Sequence, residues 1–239
     1  MKVLGNHLLT AVLAGILLVA GTCPAPRTQL DRLLSRGGGV DEKTAAAGLK
    51  EALQVGAERA VLQTSKVNGF LGNALIRIAL PKEIRPMADA LRKIGMGKEV
   101  DELEVAMNRA AEKAAGEARP IFADAIHQIT LKDALHILSG GDTAATQYFR
   151  AHTSAALDAK FLPIVTKSME KVGAAQQYNR LIERYNELPF VTKPAVNLDQ
   201  YVTNRTLAGL FTVLGQQEKH IRKHPAARTT DLLKEVFGR

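Results

Sequence analysis

Tyr148, Arg150 and His152 fall within little more than one helical turn of each other, and Asn204 with Arg205 interrupts an otherwise apolar stripe. Brought into one cleft, arginine would bind an anion and tyrosine would add a hydrogen bond or a stacking plate. Tyr148, Arg150, Asn204 and Arg205 are therefore the candidate ligand-binding set, and an unorthodox enzyme site would be built from the same four. Arg150 and Arg205 would serve equally well as ion-pair partners of Asp or Glu inside the fold, because structural networks collect the same residue types as active sites.

Other chemistry finds little support. The single thiol, Cys23, lies at the end of an amino-terminal apolar run, and no serine sits in a Gly-x-Ser-x-Gly elbow, so a serine or cysteine hydrolase is disfavoured. His220 and His224 have the spacing of two metal ligands on one helix face. Lys219, Arg222 and Lys223 surround them, however, and cations repel a cation, so no metal site is expected. Gly95-x-Gly97 and Gly37-Gly38-Gly39 look like phosphate-cradling loops only at first sight. The former joins two helices with no strand leading into it, and Asp41 places a negative charge where a phosphate would sit after the latter. Both read as turns, and no cofactor is implied. Glu99, Asp101, Glu102 and Glu104 crowd a helix start, where the macrodipole favours acids on a solvated face. Asn204-Arg205-Thr206 matches a glycosylation acceptor by spacing alone.

The basic excess is the remaining signal. Thirty-two Lys and Arg against twenty-four Asp and Glu give the 239-residue chain a net +8. Between Gln216 and Arg228 four cations (Lys219, Arg222, Lys223, Arg228) face one acid, Glu218. Such a patch could touch the phosphates of an anionic lipid, making the chain a peripheral membrane protein, or it is an ordinary solubilising face. Nucleic acid is disfavoured, since no aromatics interleave with these cations to stack bases.

The amino terminus reads as an address. Lys2, the apolar run from Leu8 to Ala20 and the small-residue exit Gly21-Thr22-Cys23 have the layout of a secretory signal over residues 1–23, and the run falls short of a bilayer span. Cleavage before Thr22 would release a soluble periplasmic protein. Acylation of Cys23 would leave a lipid-anchored one, although Ala20-Gly21-Thr22 fits a lipoprotein signal poorly. No later apolar run has spanning length, so no membrane-spanning helix is expected after the signal.

The elements that must position these residues read as helices. With 46% apolar residues but only seven Phe, four Tyr and no Trp, the core must be aliphatic and alanine-rich. Apolar residues recur at three and four while Gly and Pro fall between segments, which predicts an all-α fold: a single multi-helix bundle over residues 28–238. Asp41 reads as an N-cap for a stripe of Leu49, Ala52, Leu53, Gly56 and Ala60. Val100, Leu103, Met107, Ala110 and Ala114 form a narrow seam, with Glu99, Glu102, Arg109 and Glu112 mostly elsewhere. Thr130 and Asp133 resemble a capping box, Asp142 a cap for the next helix, and Pro163 a kink or end to it. Tyr178, Leu181, Ile182, Tyr185 and Leu188 make a later stripe closed by Pro189. Asn197 or Asp199 opens the helix that carries Tyr201 to Ile221, and a last short helix follows Thr229-Thr230-Asp231. Ile76 to Pro81 alternates weakly and reads as an extended connector or at best a short β pair.

The strings Gly48-Leu-Lys-Glu-Ala-Leu53, Met107-Asn-Arg-Ala-Ala-Glu112, Ala144-Ala-Thr-Gln-Tyr-Phe-Arg150, Tyr201-Val-Thr-Asn204 and Pro225-Ala-Ala-Arg-Thr-Thr-Asp-Leu-Leu233 resemble those of a family of bacterial secreted proteins, the domain of unknown function 4197. The likeness runs from about Leu30 to Gly238. It implies a Gram-negative envelope protein with a helical domain, and it implies no reaction. His224 stands where Asn would be expected before the Pro-Ala-Ala run, which weighs further against a metal site. The expectation is a non-enzymatic envelope domain that binds a protein, a lipid or a small anionic ligand.

Overall fold

A computed structural model of the chain describes residues 41–189 and 196–223. The signal segment with Cys23, the Gly37-Gly38-Gly39 turn, His224, Arg228 and the helix expected after Thr229 lie outside the described residues. Among those described, the regular elements are helices and no strand is present. In chain order they are α1 (Glu42–Ser65), a 3-10 turn (Lys82–Ile84), α2 (Arg85–Lys93), α3 (Gly97–Ala115), α4 (Ala118–Gln128), α5 (Leu131–Ser139), α6 (Ala144–Lys171), α7 (Ala174–Asn186) and α8 (Leu198–Lys223).

The predicted stripes are the buried faces. Leu49, Ala52, Leu53, Gly56 and Ala60 are buried on α1, and Val100, Leu103, Met107, Ala110 and Ala114 on α3. Alanine and glycine at these positions let backbones approach closely, so α8 packs against α1, α3 and α6 at once. Phe122 meets Phe149 edge-on at 5.1 Å between ring centres, and Phe211 lies 6.2 Å from Phe122, which joins α4, α6 and α8 through one aromatic contact set. Each aliphatic side chain fully buried in this way contributes about 1.5–3 kcal/mol.

Local signals set most boundaries. The Asp41 carboxylate accepts from the backbone N–H groups of Lys43 and Thr44, and Thr130 with Asp133 forms the reciprocal capping box at the start of α5. Asn197 accepts from the backbone N–H of Gln200 at the start of α8. Gly95 takes a φ of 91° in the turn between α2 and α3, a conformation that side chains rarely adopt.

Two local expectations are corrected and one is narrowed. Asp142 does not cap α6: its carboxylate lies 2.7 Å from Lys223 Nζ, and Thr143 stands at the N-cap position without a side-chain bond. Pro163 does not end its helix, which continues to Lys171. The proline lies on the exposed side, as does Ala159, whose carbonyl a proline four residues on cannot satisfy, while Phe161 and Val165 hold the turn against the core. Glu112 is not on the solvated side of α3 but buried.

Of the two readings for Ile76 to Pro81, the connector is the one observed. Its alternation turns Ile76, Ile78 and Leu80 into the core, and a side chain takes the place of a neighbouring strand. Asn108 accepts from Ile78 N–H at 2.9 Å and donates to Ile78 C=O at 2.8 Å. The preceding loop is pinned by Phe70, which lies against Gly209 so closely that a Cβ there would come within 2.5 Å of the ring.

Candidate functional site

Buried polar side chains mark where a chemical centre could exist. Glu218 lies in the apolar stripe of α8 between Leu214 and Ile221, so the helix carries it into the interior. Its carboxylate receives Ala145 N–H at 3.0 Å, Thr146 N–H at 2.8 Å and the Thr146 hydroxyl at 2.7 Å. It thereby caps α6 from another helix, filling the place expected for Asp142. Arg222, one turn on, donates to the same carboxylate at 3.0 Å and to Ile137 C=O at 2.9 Å, which ties in α5.

Glu112 has a parallel role on α3. It accepts from the backbone N–H groups of Phe70 and Leu71 at 3.1 and 3.2 Å, and Arg109 donates to it at 2.6 Å while also reaching the Asn68 side chain at 2.8 Å. Asn68 itself has a φ of 65°. Asn108, Glu112 and Glu218 were not singled out as site residues from sequence. The available signal was their position: Glu112 follows Asn108 by four along one helix, and Glu218 interrupts apolar neighbours four before it and three after.

The residues singled out from sequence are spread over two helices. Tyr148, half-buried on α6, stacks on His152 with ring centres 4.0 Å apart, and burial, with Asp133 adding to it, pushes its hydroxyl pKa up. Arg150 projects from the exposed side of α6 over the buried Phe211 ring, 4.6 Å from its centre. This is a cation–π contact and not an ion pair. On α8, Asn204 accepts from Gln200 at 3.1 Å, and Arg205 is exposed. Helix α8 thus meets Arg150 at Phe211, not at Asn204 or Arg205.

Two cavities among the described residues border the buried helix contacts. One, of about 20 Å³, lies between α1, α6 and α8, lined by Leu49, Leu53, Phe149 and Ile221 with Glu218 and Arg222 at its polar end. The other, of about 80 Å³, lies between α1 and α4 beside Glu58 and Arg119. None of Tyr148, Arg150, Asn204 and Arg205 lines either. Such volumes suit from one to a few waters, whereas substrate pockets measure about 300–1,000 Å³.

The basic segment is partly neutralised. Arg222 is held by Glu218 and Lys223 by Asp142, while Lys219 is exposed; Arg228 lies outside the described residues. Lys223 holds the Asp142 carboxyl below its ordinary value. No group of three or more His, Cys, Asp or Glu among the described residues is placed to hold a metal ion. No helix among them is long and apolar enough to cross a membrane.

Comparison with known proteins gives one match. A family model described as protein of unknown function (DUF4197) matches residues 39–238. No curated protein and no solved structure matches the chain.

Proposed function

The chain belongs to the DUF4197 family, whose description assigns no reaction, and we propose that it is an exported envelope protein acting as a binding domain for a protein, a lipid or a small anionic ligand. The observation that carries this reading is the occupation of the buried polar groups. Glu112, Glu218 and Asn108 direct their oxygens at backbone N–H groups and at neighbouring arginine or threonine side chains, so each is committed to holding two elements together. A general acid or base needs a proton-transfer partner in a space that admits substrate, and the cavity at Glu218 has room for about one water. In this reading, recognition takes place on the outer surface.

The amino-terminal layout of Lys2, the apolar run and the small-residue exit supports delivery to the periplasm, either free or anchored through Cys23. Both parts are tested on full-length chain expressed in a Gram-negative cell. Intact mass of the recovered protein should lack about the first 20 residues, or begin at an acylated Cys23. Native mass spectrometry of the same envelope fraction should show a bound mass that denaturation removes. Full-length protein in the cytosol contradicts export, and bare polypeptide in the native spectrum contradicts the binding role.

A further inference from the structure

Two side chains from different elements close on consecutive carbonyls of the Ile76 to Pro81 connector. The Tyr201 hydroxyl on α8 donates to Ala79 C=O at 2.9 Å, and Arg85 Nε, at the start of α2, donates to Leu80 C=O at 3.2 Å. Arg205 lies one turn beyond Tyr201 on α8 and shares its side of the helix. Both guanidiniums act on the Tyr201 hydroxyl, where they oppose the effect of burial. Arg85 and Arg205 are exposed, and among the described residues neither is paired with a carboxylate. The acids nearby are Glu83 and Glu104, and Glu104 is already held by Arg77 at 2.7 Å.

From this convergence we propose that Arg85, held at Leu80 beside the Tyr201–Ala79 bond, and Arg205, one turn along α8 from Tyr201, form a surface site for a phosphate oxyanion. A guanidinium presents a planar fork of N–H donors matched to phosphate oxygens, and Arg85 has both terminal nitrogens left after its Nε is used. The Tyr201 hydroxyl already donates to Ala79, so tyrosine is a positioning residue that ties the connector beside Arg85 to the helix that carries Arg205. The site differs from the pairing expected from sequence: Arg205 works with Arg85, not with Tyr148 and Arg150. It rests on the binding-domain reading and gives it a ligand class, a phosphate that is either free or carried by a lipid headgroup.

The test uses the full chain with two probes, inorganic phosphate and vesicles of phosphatidylglycerol in phosphatidylcholine. Amide resonances of Ala79, Leu80 and Arg205 should shift saturably with one of them. The double variant Arg85→Gln/Arg205→Gln should weaken that binding by about tenfold or more, and Lys113→Gln, an exposed cation elsewhere on α3, should leave it unchanged. Circular dichroism and melting temperature of each variant confirm that the fold is kept. Response to phosphate alone identifies a free anion, and response to vesicles alone identifies a headgroup; either supports the site if the double variant abolishes it. Binding of both probes that is equal in the wild type and the double variant overturns the site, as does binding of neither. If this site fails while the native spectrum still shows a bound partner, only the site is lost and the binding-domain reading stands.

Discussion

The Glu218 carboxylate on α8 sits 2.7 Å from the Thr146 hydroxyl and 2.8 Å from the Thr146 backbone N–H on α6, which makes one helix the N-cap of another across 72 residues of sequence. Glu218→Ala should cost about 3–5 kcal/mol, because it strands the α6 backbone donors and takes the carboxylate partner from the half-buried Arg222. Thr146→Val removes only the hydroxyl and should cost about 1 kcal/mol. Urea denaturation of the two single variants and the double variant checks this: the double should be less destabilised than the sum, since the pair shares one set of bonds.

Asn108 replaces a strand for the connector, so its loss should be felt at residue 78. Asn108→Leu leaves the N–H and C=O of buried Ile78 without their side-chain partner, and each group so exposed to a dry interior costs about 1–3 kcal/mol. Hydrogen exchange at Ile78 should accelerate ahead of exchange in α3. Equal protection at Ile78 in variant and wild type would contradict the assigned role.

Gly209→Ala should destabilise by about 1–3 kcal/mol through overlap with Phe70. The clash belongs to the pair, so adding Phe70→Leu should recover part of the loss. Thermal melts of the single and double variants separate this from an ordinary helix-propensity effect, which would make Gly209→Ala stabilising.

Acid should weaken the fold at particular carboxyls. Hydrogen bonds from the side chain and backbone of Thr130 hold Asp133 below the ordinary value of 3.8, and a hydrogen bond from Lys223 does the same for Asp142. A carboxyl depressed in the folded chain binds its proton more readily when unfolded. Its contribution is therefore present above the ordinary value and is lost as pH falls through the folded one. Urea midpoints measured from neutral pH downward should drop below about pH 4, and Asp133→Asn with Asp142→Asn should flatten that drop.

These cases show what was readable in the residues. The stripes of α1 and α3, the Asp41 cap and the Thr130–Asp133 capping box depend on neighbours within a few positions, so spacing alone reveals them. Asp142 was misplaced because its partner, Lys223, is far along the chain and the cap that replaced it comes from Glu218. Pro163 reads locally as a kink or an end to α6; the helix continues through it because Phe161 and Val165 on either side are packed in the core, a contact that spacing alone does not show. The candidate ligand residues were chosen by type within each helix. Sequence could not show that Arg150 would meet Phe211, or that Tyr201 and Arg85 would hold consecutive carbonyls of the connector, because those relationships exist only once α2, α6 and α8 are packed.

The most direct test of the account separates structural acids from functional ones. Glu112→Gln and Glu218→Gln, made in the full chain and recovered from the envelope, should lower the melting temperature while the folded fraction keeps the bound mass seen by native mass spectrometry. A variant that melts like the wild type yet loses its bound mass, or gains or loses a catalysed reaction, would place chemistry at the buried carboxylates and contradict the account.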